Sequence, residues 1–581
     1  MQRRLLLASV LSAVAMMGYF YMNTRNAPPL PPLSENPAVV EQLAEPEASA
    51  AEPGAGSPEQ PAEQASPPPA EVAEAPAGDV AAEAEQEIVV ESDTYRVTFS
   101  NRGAVVKSWI LKQYENSIGE QLDLVHIAGT KQYGYPFQLQ LPGGEAIKAV
   151  NEALFAVDEG GSPRTAPATI TFNYAAGGWS ARKTFRFEPQ GYVLHLETEL
   201  RQAGEPRSHL VAWPGGFGDL TQVTDAAHSQ TFYFDPAADK PVRNTAEDAA
   251  EQRISNTGPH PYAGIDDLFF TAVFSPAEGQ PLTLESWAAK LIPESVVPPE
   301  GADQAALEEL KETFAAAAVG GSAENSFELY VGPKSIPILA AVSPRHRQIV
   351  DFGWLSFLAL PLFYMLLWTH EHMVANYGWA IVLVTVAINF VLFPLKWKST
   401  KSMKRMQALQ PLIKQINEKY KGLSMRDPKK AQQNEEMMAL YKKYGVNPMG
   451  GCLPMVLQMP FFIAFYWVLT SAIEMRHASW LWVDDLSRPE TLAIRVLPLA
   501  MIITQFWQQH MTPQPTIDPA QARLMKFMPL MFGFFFYGFQ SGLVLYWLTM
   551  NLVGVGQQAL LNRLPSEPLE IEQPRRRKKK K

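Results

Sequence analysis

The chemistry open to this 581-residue chain is narrow: it holds ten histidines, a single cysteine and no Gly-rich loop ending in Lys-Ser/Thr that would cradle phosphate. Cys452 sits inside an apolar run, so neither an intrachain disulfide nor a cysteine metal site can form, and a small buried thiol is the simpler reading. His195 stands beside Glu197 and Glu199 on an alternating segment, and His260 lies between Pro259 and Pro261. A histidine and two carboxylates on one strand face describe a solvated surface more readily than an acid and base, because catalysis draws groups from several elements. A second set of polar residues is more telling. Thr385, Asn389, Gln458, Gln505, Asn551 and Gln557 each interrupt an apolar run. Taken singly, each reads as an interhelical hydrogen bond worth about 1 kcal/mol in a membrane. Taken together, they read as the wall of a hydrated path. Thr385 and Asn389, four residues apart, share one helix face.

The elements that must position these residues are membrane helices. Leu5 to Met22 is uncharged and close to the roughly 20 residues that cross hydrocarbon, and it reads as a retained anchor with Arg3 and Arg4 in the cytoplasm. Further apolar runs cover Tyr377 to Leu395, Gly451 to Ile473, Leu492 to Gln509, and Phe527 to Leu561, the last expected to turn near Gln540-Ser541-Gly542. Six spans result, with both termini cytoplasmic. The loops agree with this orientation: Lys396, Lys398, Lys401, Lys404 and Arg405 lie inside, whereas the acid-rich stretch Glu474 to Glu490 lies outside. Trp354 to Trp368, broken by Pro361, is expected to be too short to span and to lie along the outer interface. Lys396 to Tyr444 reads as a cytoplasmic helical hairpin, with Met403, Met406, Leu409, Ile413, Ile416 and Tyr420 at helical spacing. That stripe is either packing surface or an adaptable apolar face.

The remainder lies outside the cytoplasm. From Ala27 to about Gln86 the chain is Pro, Ala, Glu and Ser without Lys or Arg, an acidic disordered tether. From Glu87 to Ser343, short period-two runs predict an all-β sandwich, with a helical insertion near Ala302 to Ala318. In GYVLHLETEL, Tyr192, Leu194, Leu196 and Leu200 fall on the inner face. Of 49 basic and 59 acidic residues, the acids fill the N-terminal half and the bases cluster near the hairpin and tail, which implies segregated compartments rather than one acidic globule. The expected organisation is an anchor at 1–26, a linker at 27–86, a β domain at 87–343 and an interfacial helix at 344–376. A membrane core at 377–564 follows, carrying the hairpin at 396–446, and then a basic tail at 565–581.

VNPMGGCLPMVLQMPFFIAFYWVL (Val446 to Leu469) and QSGLVLYWLTMNLVGVGQQALL (Gln540 to Leu561) resemble membrane segments of the YidC insertases. The resemblance extends through the hairpin, with Gln410-Pro411 and Glu436-Met437-Met438-Ala439-Leu440-Tyr441, and loosely over the outer domain. It implies a helical membrane bundle plus a periplasmic β-supersandwich in the bacterial inner membrane. It further implies ATP-independent insertion and folding of nascent membrane proteins, alone or with the SecYEG and SecDF translocon, through a hydrophilic groove. No cofactor, metal or DNA partner is implied. Well-known members carry a basic residue five positions before the Pro-Leu that is here Pro394-Leu395; this chain has Asn389. Trp547 stands where relatives often have Tyr, and Lys396 can snorkel upward from the cytoplasmic rim. Met403, Met406, Met437 and Met438 are candidate hairpin contacts. Arg575, Arg576, Arg577 and Lys578 of the tail are candidate contacts for ribosomal RNA or anionic lipid.

Energetically, a wet groove and short spans that thin the bilayer would lower the roughly 2.5–3.5 kcal/mol that each central charge costs on insertion scales. Two other classes compete. A secondary transporter would show buried ionisable residues and repeated spans, which are not evident. An envelope carbohydrate enzyme would place its activity in the β domain.

Overall fold

The computed structural model describes residues 79–158, 161–221, 228–422, 429–446, 453–512 and 519–563. The anchor, most of the linker, Cys452, Asp427-Pro428 and the tail residues Arg575, Arg576, Arg577 and Lys578 lie outside the described residues. The side chains discussed below belong to one compact unit, 76–516 with 525–581.

The β region is built of three sheets. The largest has ten strands and runs from Lys240–Thr245 at one edge, through Phe270–Pro276, Glu324–Pro333, Val193–Gln202 and Trp179–Phe187, to Ala156–Val157 at the other. One five-stranded sheet contains Tyr95–Ser100 and Val105–Glu115; the other contains Leu282–Leu291, Glu312–Gly320 and Leu210–Trp213. Alternation dictates which face is buried. Leu194, Leu196 and Leu200 are buried while Glu197 points to solvent, and each such leucine contributes roughly 1.5–3 kcal/mol on leaving water. Aromatic rings join the three layers: Phe99 lies 4.7 Å from Phe185, Phe137 lies 5.4 Å from Phe185, and Trp109 lies 6.5 Å from Trp213. Lys183, fully buried, donates to the carbonyls of Gly103, Ala104 and Phe137 at 2.7, 3.1 and 2.7 Å and so ties the sheets' loops together.

Two sequence expectations change here. The helix predicted over Ala302 to Ala318 is confined to Gln304–Glu309, and Glu312–Gly320 is a strand buried along most of its length. Alanine favours helix in isolation, but between two packed layers its small side chain suits a strand that is covered on both faces, and tertiary context overrides propensity. Pairing with the large sheet also begins before residue 87, since the Val80 amide donates to Ala175 at 2.7 Å.

His209 illustrates how the β core holds neutral polar groups. Its Nδ1 donates to the Arg207 carbonyl at 3.1 Å, while Nε2 meets the Thr198 hydroxyl at 2.8 Å and accepts from the Asn325 amide at 3.1 Å. Burial pushes its pKa down to about 4. The unfolded chain therefore takes up this proton first as pH falls below about 6.5, so the stabilisation from keeping the ring neutral is full above 6.5 and declines toward pH 4. Between pH 6.5 and 5 the loss from this residue is about 2 kcal/mol. His209→Gln flattens the pH dependence of thermal unfolding by that amount, measured on the full chain by circular dichroism; an unchanged slope refutes the assignment.

The helical region comprises α1 (Ser356–His372), α2 (Tyr377–Ala408), α3 (Gln410–Lys419), α4 (Lys429–Lys443), α5 (Leu453–Ser471), α6 (Val496–Met511), α7 (Pro519–Phe536) and α8 (Ser541–Arg563). α2 continues unbroken through Pro394 into the basic segment, so the hairpin proper is α3 and α4, the first opened by Pro411 where its missing N–H costs nothing. α1 with its preceding turn, Gly353–His372, is long and apolar enough to cross a membrane. The expectation that this segment is too short fails, because the helix runs on past Trp368 to His372.

The 472–495 loop between α5 and α6 is fastened to the β region. Arg476 pairs with Asp219 at 2.7 Å and donates to the Glu115 carbonyl at 2.6 Å. The same loop caps α8: the Ser541 and Gly542 amides donate to the carbonyls of Arg488 and Leu486 at 2.7 and 2.8 Å, satisfying first-turn donors.

Candidate functional site

α8 packs against both α2 and α6, and its small and polar residues determine what meets there. From α2, Asn389 and Lys396 stand two turns apart on one face, and the lysine side chain leans back toward the N-terminus of its helix, as helical side chains do. Lys396 Nζ donates to Gln557 Oε1 at 3.1 Å, and Gln557 Nε2 donates to the Asn389 carbonyl at 3.0 Å. A cation, an amide and a backbone carbonyl thus form one chain across the α2–α8 seam. From α6, Gln508 reaches the same place over Gly554: a Cβ at position 554 would stand 2.3 Å from Gln508 Nε2 and 3.2 Å from Lys396 Nζ. The glycine is there to admit two polar heads, which is a packing reason for a residue that costs about 1 kcal/mol within a helix.

The other polar positions serve neighbouring seams. Asn551 Nδ2 donates to the Met501 carbonyl at 3.3 Å and to Thr504 Oγ1 at 3.4 Å, joining α8 to α6. Thr385 and Asn389 direct their side chains into their own helix, the hydroxyl to the Ile381 carbonyl at 2.6 Å and the amide to the Thr385 carbonyl at 2.9 Å. Gln458 of α5 contacts Met550 through its amide. Trp547 faces α5 and α7, 4.8 Å from Phe462 and 4.7 Å from Phe536, and lies in an aromatic plug away from Asn389. Trp547 Nε1 and Gln505 Oε1 have no hydrogen-bond partner among the described residues. Asn389 and Gln557, singled out by sequence, therefore meet directly. Lys396, expected to reach upward along its helix, joins them through Gln557, and Gln508 was not foreseen; a glycine set inside the GVG of an otherwise regular helix was the available signal for close approach.

In the hairpin, Met406 is buried with Leu409 and Ile413, Met437 packs against them, Met403 is half-buried, and Met438 is exposed. In the β region His195 lies on the surface near Glu188 at 3.3 Å, and His260 lies tilted against the Tyr233 ring, 4.5 Å between centroids, while donating to the Phe234 carbonyl. These two histidines share no partner. Among the described residues no group of three His, Cys, Asp or Glu could hold a metal.

Residues 87–365 match the model of the YidC periplasmic domain, and residues 368–567 match that of the 60Kd inner membrane protein family. The membrane protein insertase YidC of Syntrophus aciditrophicus is 32% identical over 97% of this chain and 100% of its own. The chain belongs to the YidC family of membrane protein insertases. Similar YidC proteins include those of Bordetella avium, 33% identical over 82% of this chain and 83% of its own, and Wolinella succinogenes, 36% identical over 69% and 68%. A solved active YidC insertase with its first transmembrane domain resolved covers 84% of this chain and 95% of its own at 19% identity, with a TM-score of 0.35. As a YidC-family protein the chain is integral to the inner membrane, takes membrane proteins as clients, and joins a β periplasmic domain to a helical core. Its relatives are named for insertion, not for a catalysed reaction.

Enlarging the glycine tests the packing around the network. Gly554→Leu displaces Gln508 and Lys396 and costs about 1–3 kcal/mol of strain. Client insertion is expected to fall severalfold while the chain still accumulates in the membrane; native insertion rates would show that the two polar heads need not meet over this residue.

Proposed function

We propose that this protein inserts newly made proteins into the inner membrane without ATP, through a polar groove lined by α2, α6 and α8 that opens to the cytoplasm and to lipid. The observation that carries this reading is the Lys396–Gln557–Asn389 chain, met by Gln508 over Gly554. A cation, two side-chain amides and a backbone carbonyl gathered between apolar helices are expensive in hydrocarbon unless polar segments and water visit them. A client's hydrophilic segment pauses there, its path across hydrocarbon shortened, while its apolar helix partitions into lipid and drives the step. α6, about 24 Å long, is shorter than the roughly 30 Å hydrocarbon core and thins the adjoining bilayer.

The orientation places α2's basic end, the hairpin and the tail in the cytoplasm and the 472–495 loop outside. α1 lies flat on the outer interface. Two contacts support this: Gly353, at its start, adjoins Trp467 near the outer end of α5, and beyond its end the Asn376 amide donates to Ser479 of the outer loop at 2.8 Å. A crossing helix would have its two ends on opposite sides. The exposed Met438 offers an adaptable apolar contact on the hairpin. SecYEG and SecDF are the proposed translocon partners, and the basic tail, including Arg575, Arg576, Arg577 and Lys578, engages ribosomes or anionic lipid.

The test is protease protection of a short, newly made membrane protein offered to liposomes that contain only this purified protein. Protection of the client's outer loop without ATP supports autonomous insertion. Exposure of that loop here, but protection beside SecYEG, replaces the reading with that of a dependent chaperone.

A further inference from the structure

A cavity of about 240 Å³ lies apart from the polar groove, where the β region meets the outer ends of α5 and α8. Its lining includes Arg243, Asp351, Gly353, Trp467 and Gln540. Arg243 and Asp351 stand 3.6 Å apart, so the cavity presents both signs of charge side by side. Arg243 spends one Nη on the Ile349 carbonyl at 2.7 Å, and its Nε has no hydrogen-bond partner among the described residues. Gln540 Oε1 likewise has none. The protein thus leaves a donor and an acceptor of two lining residues without partners, both atoms almost closed off from solvent, and each unmade buried bond is a cost that a partner reached by a small turn of the side chain removes.

We propose that this cavity holds the headgroup of a phosphatidylethanolamine from the outer leaflet. A phosphate alone would meet the Asp351 carboxylate, and an ammonium alone would meet the Arg243 guanidinium; a headgroup that carries both satisfies both. The phosphate takes the guanidinium edge, for which its oxygens are suited. The primary ammonium has three N–H donors to give to Asp351 and Gln540, which the quaternary ammonium of choline lacks. The rim argues for an amphiphile over a soluble metabolite: immediately after Gly353, Trp354 and Phe357 are 76% and 73% exposed, an apolar track along which acyl chains can run, with tryptophan at headgroup level. Placement in the outer leaflet rests on the topology proposed above. Lipid retention is read without any client, so failure of the insertion assay and failure of this site are separate results.

The experiment is native mass spectrometry of the full chain released from nanodiscs that contain equal fractions of phosphatidylethanolamine, phosphatidylglycerol and phosphatidylcholine. The native chain is expected to retain one phosphatidylethanolamine in about fivefold or greater preference to either other lipid, and Arg243→Gln to cut retention about tenfold. Asp351→Asn keeps the lipid but loses the discrimination between ethanolamine and choline. Because Arg243 also holds the Ile349 carbonyl, Gln540→Leu provides a second variant that leaves the β region untouched; it is expected to lower phosphatidylethanolamine retention with an unchanged thermal unfolding curve. Equal retention of all three lipids, or retention unaffected by Arg243→Gln and Gln540→Leu, overturns the proposal. Displacement of the lipid by soluble phosphoethanolamine at equal concentration also overturns it, in favour of a soluble ligand.

Discussion

Lys396→Gln is expected to slow insertion of a client with an acidic translocated segment by about tenfold or more, with a much smaller effect on a client whose segment is neutral. Glutamine is one bond shorter than lysine but keeps an N–H donor directed toward Gln557 Oε1, where the lysine ammonium sits at 3.1 Å, so the substitution removes the charge while leaving a polar head at this position. A hydrogen bond to a charged partner is worth about 1.5–3 kcal/mol, and 1.4 kcal/mol is tenfold in rate. Asn389 stands five residues before Pro394-Leu395, where the resemblance places the family's basic residue, and Lys396 lies two turns further along the same face. The Lys396–Gln557–Asn389 chain carries the cation's influence back toward the missing position. Asn389→Arg added to Lys396→Gln is therefore expected to restore the acidic client's rate. Equal rates for both clients in the single variant would remove charge from the mechanism, and failure of the arginine to rescue would fix the requirement at 396 itself. Rates are read by protease protection over time in proteoliposomes.

What the sequence disclosed depended on whether the signal was local. Alternation separates the β region from the apolar runs, and the break between α7 and α8 comes at Phe536 to Ser541, beside the polar Gln540, because glutamine, serine and glycine interrupt an apolar stretch that nothing else divides. Local propensity also misled: the FAAAAV run reads as helix by composition and is a strand, because its neighbours in the sheet and the layers covering it decide its conformation. In the helices, polar residues could be found one at a time, but their partners could not. Gln557 and Asn389 are separated by 168 residues, and which face of α8 turns to α2 depends on how the whole set of helices packs. Trp547 stands ten residues before Gln557, nearly three turns away but about 80° off its face, and so packs against α5 and α7 rather than α2. Lys183 gave no signal at all: it lies in an alternating strand as an ordinary cation, and only the approach of three loop carbonyls makes its burial tolerable.

The attachment of the β domain to the helices was equally invisible, and it supplies the second large effect. Arg476→Ala is expected to destabilise the chain by about 3–5 kcal/mol, the cost of leaving one member of a buried ion pair without the other. The side chains of Arg476 and Asp219 are 2% and 3% exposed. Burial alone would push the Asp219 carboxyl up, but the guanidinium, with hydrogen bonds from Thr221 and Ser117, holds it below the usual carboxylate range. The arginine also lies 5.3 Å from the ring centres of both Phe269 and Phe270, and these contacts go with it. Asp219→Leu alone strands the guanidinium and costs a similar amount. Arg476→Met combined with Asp219→Leu removes both charges, and such replacement is often neutral, so the double variant is expected to be more stable than either single one. Thermal unfolding in detergent, followed by circular dichroism, measures all four forms. If the single and double losses simply add, the pair is not coupled. If the double variant recovers, this ion pair is what makes the β domain a fixed extension of the loop between α5 and α6, and displacement of that domain must then be felt at the N-terminus of α8, whose first amides the same loop caps.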